Sequence, residues 1–289
     1  MKPLVAAAIL VLAVHAQQRF TTGVGVVTMN VAVRHNNAPA VGLTAADFQL
    51  TDGGIERPIE VSLAGSRPAD ITLLIDTSGS MDGTMKEMRA HVGDVARQLG
   101  PDDRLRLLTF ADDVREVFGF RPGTGPLPLD ALVAGGWTAL YDALGLAFIH
   151  HPALDRGHLI VVFSDAVDSS STIDISLLKE LTRRSEAVLH TFVVRPRPLN
   201  VSRRVLPSRE RPPAPPIGVV ADLTGGYATF MDPDDDVPGA FRVALSDFRR
   251  RYVLTYAMPE PLRRGWHDVR VTIRREGNFE VRTRQGYVQ

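Results

Sequence analysis

Cysteine is absent from all 289 residues, so no disulfide framework can staple the chain and thiol chemistry is excluded. Net charge is absent too: 33 basic residues balance 33 acidic ones, leaving no field to draw in nucleic acid or an anionic membrane. A transmembrane run is likewise missing, since spanning a bilayer takes about twenty apolar residues. The candidate stretch, Leu4 to Val14, has only eleven. It follows the basic Met1-Lys2 and precedes the small Ala16, which is the layout of a signal peptide over residues 1–16. The expected location is therefore secreted or periplasmic, in the cell envelope. The lack of cysteine favours a bacterial exported protein over a eukaryotic secreted one, where disulfides are common.

What is present begins with the run Ile71-Thr72-Leu73-Leu74-Ile75-Asp76-Thr77-Ser78-Gly79-Ser80. Ile71 to Ile75 reads as a strand buried on both faces of a parallel sheet, and ligands of open α/β sheets sit just beyond the carboxyl ends of such strands. Asp76, Ser78 and Ser80 then offer one carboxylate and two hydroxyls at alternate positions. Short oxygen side chains of this kind suit a hard cation such as Mg²⁺, which seldom takes all six of its ligands from protein. Turn formation and helix capping are the alternative use for the same residues.

Two further stretches add oxygen donors. Gly135-Gly136-Trp137-Thr138 leads into a helix carrying Leu140, Leu144, Ala147 and Phe148, and His158 to Phe163 is a second buried-type strand, ending in Ser164-Asp165. Thr138 has an alternative use as a helix N-cap and Asp165 as a loop cap. Together, Asp76-x-Ser78-x-Ser80, Thr138 and Asp165 resemble the metal-ion-dependent adhesion site (MIDAS) of von Willebrand factor type A (VWA) domains, over roughly residues 68–251. The resemblance implies that Ser78, Ser80 and Thr138 offer hydroxyls to Mg²⁺ or Mn²⁺, while Asp76 and Asp165 bind it directly or through water. It also implies a partner protein whose exposed Asp or Glu fills the open coordination position. Ala166 departs from the pattern, since many relatives have glycine after the last aspartate.

Strand and helix signals alternate from Ile71 to Phe248, which implies a doubly wound α/β domain with a mainly parallel sheet flanked by helices. Helical spacing joins Met85, Met88, Val92, Val95 and Leu99, then Ile173, Leu177, Leu178 and Leu181, and finally Val237, Phe241, Ala244, Leu245 and Phe248. Val219 to Leu223 reads as a short segment before a strand at Tyr227 to Met231. The tail changes character: Tyr252 to Tyr256, Trp266 to Ile273 and Phe279 to Gln285 are strand-like with no helix between them. They need a partner sheet, and the other β-rich segment is 20–63. The expected organisation is a signal peptide (1–16), an N-terminal β segment (17–66), a VWA domain (67–251) and a C-terminal β segment (252–289). The two β segments pair as a small β-sandwich into which the α/β domain is inserted. Leu43-Thr44-x-x-Asp47-Phe48, Tyr252-x-Leu254-x-Tyr256 and Arg284-x-Gly286-Tyr287 resemble exported bacterial proteins of the VWFA-related type, seen in acidobacteria.

Arg195 to Pro216, with seven prolines and six arginines, reads as a long extended surface loop. Enzymatic readings fare poorly. A phosphatase of the haloacid dehalogenase type needs a second aspartate where Ser78 stands, and Thr77-Ser78-Gly79-Ser80-Met81 is no nucleophile elbow. His150 and His151 lie at a helix end with no nucleophile beside them. The expected function is thus a non-enzymatic, divalent-metal-dependent protein-binding module. The alternatives are a structural or assembly protein with an idle metal site and a Mg-dependent hydrolase.

Overall fold

The computed structural model describes residues 25–124, 127–129, 132–153, 155–195, 216–232, 235–258 and 264–289. The signal-peptide segment and most of the proline- and arginine-rich loop therefore lie outside the described residues.

Along the chain, β1 (Val26–His35), β2 (Ala38–Pro39), β3 (Phe48–Asp52), β4 (Ile55–Glu56) and β5 (Glu60–Leu63) precede the α/β region. That region runs β6 (Ala69–Asp76), α1 (Met85–Ala96), β7 (Arg104–Phe110), β8 (Val114–Pro122), α2 (Leu140–Phe148), β9 (Gly157–Ser164), α3 (Ile175–Arg184), β10 (Val188–Val194), α4 (Pro216–Leu223), β11 (Tyr227–Met231) and α5 (Val237–Arg249). The tail supplies β12 (Tyr252–Ala257), β13 (Trp266–Ile273), β14 (Phe279–Arg282) and β15 (Gly286–Val288).

The central sheet has the order β11-β10-β9-β6-β7-β8, parallel except for β8, which returns antiparallel along β7. Every residue of β6 is buried, as a strand covered on both faces requires. Alternation divides its side chains between two layers. Ile71, Leu73 and Ile75 meet Met88, Val92 and Val95 of α1 and Phe241, Leu245 and Phe248 of α5. Leu74 on the opposite face joins Leu140, Leu144 and Phe148 of α2, Leu178 of α3 and Ile217 and Val220 of α4. This is the expected doubly wound arrangement. It differs from the sequence reading at β8, which the sequence did not suggest, and at α4, a helix that begins at Pro216 rather than a short segment at Val219.

The chain ends build two antiparallel sheets, β14-β1-β12-β5 with β2 against β1, and β15-β13-β3-β4. Their inner faces share one core of Val27, Met29, Val31, Phe48, Leu50, Leu254, Tyr256 and Val271 among others. Pairing of Val26–Val31 with Tyr252–Ala257, and of Phe48–Asp52 with Val269–Ile273, ties front to back. Within this core the buried Asp52 accepts hydrogen bonds from the hydroxyls of Tyr256 (3.0 Å) and Tyr287 (3.1 Å), with His267 Nδ1 at 3.2 Å. Tyr252 donates to the Ala40 carbonyl and accepts from Leu43 N–H. Asp47 accepts from Thr44 N–H at 2.7 Å and from Arg275 Nε at 2.5 Å. Of the residues that carried the second resemblance, Thr44, Asp47, Tyr252, Tyr256 and Tyr287 are thus polar fastenings of the sandwich, while Phe48 and Leu254 belong to its apolar core.

Buried arginines join the sandwich to the α/β region. Arg284 donates to the carbonyls of Ser185 (3.1 Å) and Thr28 (2.6 Å), and Arg251 donates to the Gly225 carbonyl (2.9 Å) and to Asp247 (2.8 Å).

Candidate metal site

β6 delivers Asp76 to the carboxyl edge of the sheet. In register, Ile75 pairs with Phe163, so Ser164 at the end of β9 arrives beside Asp76. The Asp76 carboxylate has no exposed surface. Its Oδ1 accepts from Ser78 N–H at 2.8 Å and its Oδ2 from the Ser164 hydroxyl at 2.5 Å. Burial pushes its pKa up, and the neighbouring charge of Asp165 adds to that, while the bonds from Ser164 and Ser78 pull it down. A carboxylate raised by burial and by a second carboxylate is stabilised as an anion by a cation placed between the two.

The chain leaves Asp76 through a 3-10 turn over Gly79–Thr84, which Met81 N–H closes onto the Ser78 carbonyl at 3.0 Å. Ser78 is buried and Ser80 exposed, with their hydroxyl oxygens 3.1 Å apart. Two reciprocal backbone bonds lock this loop to the one before α2: Gly135 N–H donates to the Thr77 carbonyl (2.8 Å) and Gly79 N–H to the Gly136 carbonyl (3.0 Å). Gly136 has φ 82, and a Cβ there would collide with the Asp112 carboxylate, which accepts from Trp137 N–H at 2.8 Å. Thr138 follows. Its N–H donates to the Ser169 hydroxyl at 2.9 Å and its carbonyl accepts from Ser169 and Ser170, so backbone bonds hold it to the loop after β9. The N-cap of α2 is Ala139, with no side-chain cap. The Thr138 hydroxyl is therefore not used as a cap.

In the third loop Val167 N–H donates to Asp165 Oδ1 at 3.1 Å, and Ala166 N–H donates to the Ser164 hydroxyl at 3.0 Å. Ala166 has φ 64, a left-handed conformation that favours glycine. The departure noted in the sequence thus falls on a residue with a strained backbone. Asp76, Ser78, Ser80, Thr138 and Asp165 accordingly stand on three interlocked loops at one edge. Among the described residues no trio of His, Cys, Asp and Glu converges on a point. Two carboxylates with three hydroxyls form an all-oxygen set, poor in charge, which fits a hard divalent ion.

Ser164 and Asp112 were missed in the sequence. Ser164 stands directly before Asp165 at a strand end, a signal that reads as simple strand termination. Asp112 lies in a loop more than twenty residues from the Gly136 it contacts, so spacing carries no hint of it.

Residues 70–197 match the family model of the von Willebrand factor type A domain. That stretch, somewhat less than half of the chain, is thus similar to a VWA domain, and the α/β region has the VWA-like fold. No curated protein matches it significantly. Among solved structures it is similar to proximal thread matrix protein 1 of the mussel byssus, described with zinc in its MIDAS motif, at 16% identity over 70% of this chain and 50% of that one, TM-score 0.50. It is also similar to a von Willebrand factor type A protein of Catenulispora acidiphila, at 13% identity over 93% and 75%, TM-score 0.49. A third similar structure is BatB of Bacteroides thetaiotaomicron, at 15% identity over 62% and 98%, TM-score 0.44. At these identities the likeness concerns the fold alone.

Proposed function

We propose that the protein is an exported, non-enzymatic binding module that engages a partner protein through a divalent ion, Mg²⁺ or Mn²⁺. Asp76, Ser78, Ser80, Thr138 and Asp165 would hold the ion, and an Asp or Glu of the partner would complete its coordination. The observation that carries this reading is the buried Asp76 carboxylate beside Asp165 on loops locked to the one that bears Thr138. VWA domains commonly mediate metal-dependent protein interactions, which favours the same reading.

The chain's own residues supply the rest of such an interface. Trp137 is 70% exposed and Val167 58% exposed, and each adjoins a proposed ligand. Trp is among the side chains that most often anchor protein interfaces, and apolar neighbours such as Val167 exclude water around such an anchor. Among the described residues the histidines His150 and His158 lie away from the site, His150 on Asp70 and His158 on Thr72, both toward the opposite end of β6. Export rests on the run from Leu4 to Val14.

Titration calorimetry with Mg²⁺ or Mn²⁺ tests the ion. The expected result is one ion per chain, lost in a folded Asp76→Ala protein, and equal binding by both proteins would refute the assignment. Trp137→Ala should leave ion binding intact while weakening capture of an acidic partner.

A further inference from the structure

A second polar site lies where α5 and the edge strand β11 meet β1 and β14. There a cavity of 240 Å³ is lined by Arg34, Tyr227, Asp247, Arg251, Glu280 and Arg282. Arg251 is 1% exposed, and while its Nη2 is bonded to Asp247 and Gly225, its Nε and Nη1 have no acceptor among the described residues. The Tyr227 hydroxyl, also buried, has no hydrogen-bond partner among them either. Buried N–H groups of a guanidinium are costly to leave unpaired. The cavity therefore calls for an acceptor from outside the chain.

Charge selects which kind. Arg34, Arg251 and Arg282 face Asp247 and Glu280, so three cations against two anions leave one positive charge in excess. Water would meet the donors without balancing that charge, whereas one carboxylate does both. The cavity shares Arg34, Tyr227 and Asp247 with an adjoining groove of 630 Å³ whose walls include Phe192, Phe230, Met231 and Val243. A ligand reaching from one into the other has an anionic head and an apolar tail. We propose that this site binds a small organic carboxylate with an apolar tail, of the medium-chain fatty acid class, its head on Arg251 and Arg34 and its tail along Phe192, Phe230 and Met231. The site is distinct from the metal loops and does not depend on the metal reading.

The test titrates the full chain, by calorimetry, with octanoate, octanol and inorganic phosphate. The expected result is saturable one-site binding of octanoate, with octanol and phosphate at least about tenfold weaker. Arg34→Gln at the rim and Val243→Asp in the groove should each weaken octanoate about tenfold while Mg²⁺ binding stays unchanged. Arg251→Met should abolish octanoate binding if it folds, and Arg34→Gln carries the test if it does not. The proposal is overturned if octanol binds as well as octanoate, if phosphate binds as well or better, if octanoate does not bind, or if Arg34→Gln binds it like the wild type.

Discussion

Mild acid should destabilise this protein through two histidines buried in the central sheet. His158 is 1% exposed, its Nε2 lies 2.9 Å from the Thr72 hydroxyl and its Nδ1 has no hydrogen-bond partner among the described residues. Burial, helped by His150, pushes its pKa down to about 3. His190 has no exposed surface, and burial pushes it down to about 4 although Asp247 at 3.4 Å opposes the shift. Both rings stay neutral in the folded chain and take up a proton on unfolding, where the ordinary value is about 6.5. Because the folded values are depressed, this contribution is complete above pH about 6.5 and is lost as pH falls toward the folded values. Each ring then contributes a slope of about 1.4 kcal/mol per pH unit, so moving from pH 7 to 5 should remove about 4 kcal/mol from the pair. That is a large share of an ordinary domain's stability. Urea unfolding followed across this range should show the slope, and His158→Gln or His190→Gln should each remove about half of it. A wild-type curve flat to within about 1 kcal/mol, or variants with an unaltered slope, would refute the reasoning.

The strands that deliver the metal site are the most legible part of the chain, because a strand buried on both faces must be apolar throughout. Ile71 to Ile75 and Leu159 to Phe163 announce themselves in this way. β8 does not: as an edge strand with only Phe118 of its nine residues buried, it mixes Arg, Glu and apolar side chains with no clean alternation. α4 is hard to read because Ile217, Val220 and Ala221 are buried in a helix of eight residues, too brief for the period to emerge, directly after a proline-rich run. The candidate ligands were legible as residue types at strand ends, but Ser164 and Asp112, which fix their positions, were not. Buried charge is the other blind spot. Nothing in composition marks Asp70 as interior, since its partners Arg104, His150 and Arg156 lie far along the chain, and Arg251 with Asp247 four residues before it reads as an ordinary surface helix pair.

Three further perturbations test the packing. Asp70 has no exposed surface and is bonded by Arg104, Arg156 and His150; burial alone would raise its pKa, yet these partners hold it far below the usual range. Asp70→Asn should therefore lower stability by about 3–5 kcal/mol at neutral pH by urea unfolding, and a loss under about 1 kcal/mol would contradict the network. Ending the chain at Met258 removes β13, β14 and β15, leaving β3 without β13 and β1 without β14, so the truncated protein should aggregate in light scattering. A monomeric truncation with unchanged melting would argue against the shared sandwich. Ala166→Gly completes the set. Ala166 holds φ 64, where an L-residue is disfavoured by about 1–2 kcal/mol, while glycine's freer unfolded chain returns about 0.4–1 kcal/mol of that. The net expectation is a gain of about 0.5–1 kcal/mol, read as a melting point higher by roughly 1–4 °C. The loop's strain is present with or without the ion, so Mg²⁺ affinity should stay within about twofold, a change of about 0.4 kcal/mol. A destabilised glycine variant would mean that the loop beside Asp165 is not left-handed in solution, and with it would go the route by which Ala166 N–H, through Ser164, steadies Asp76.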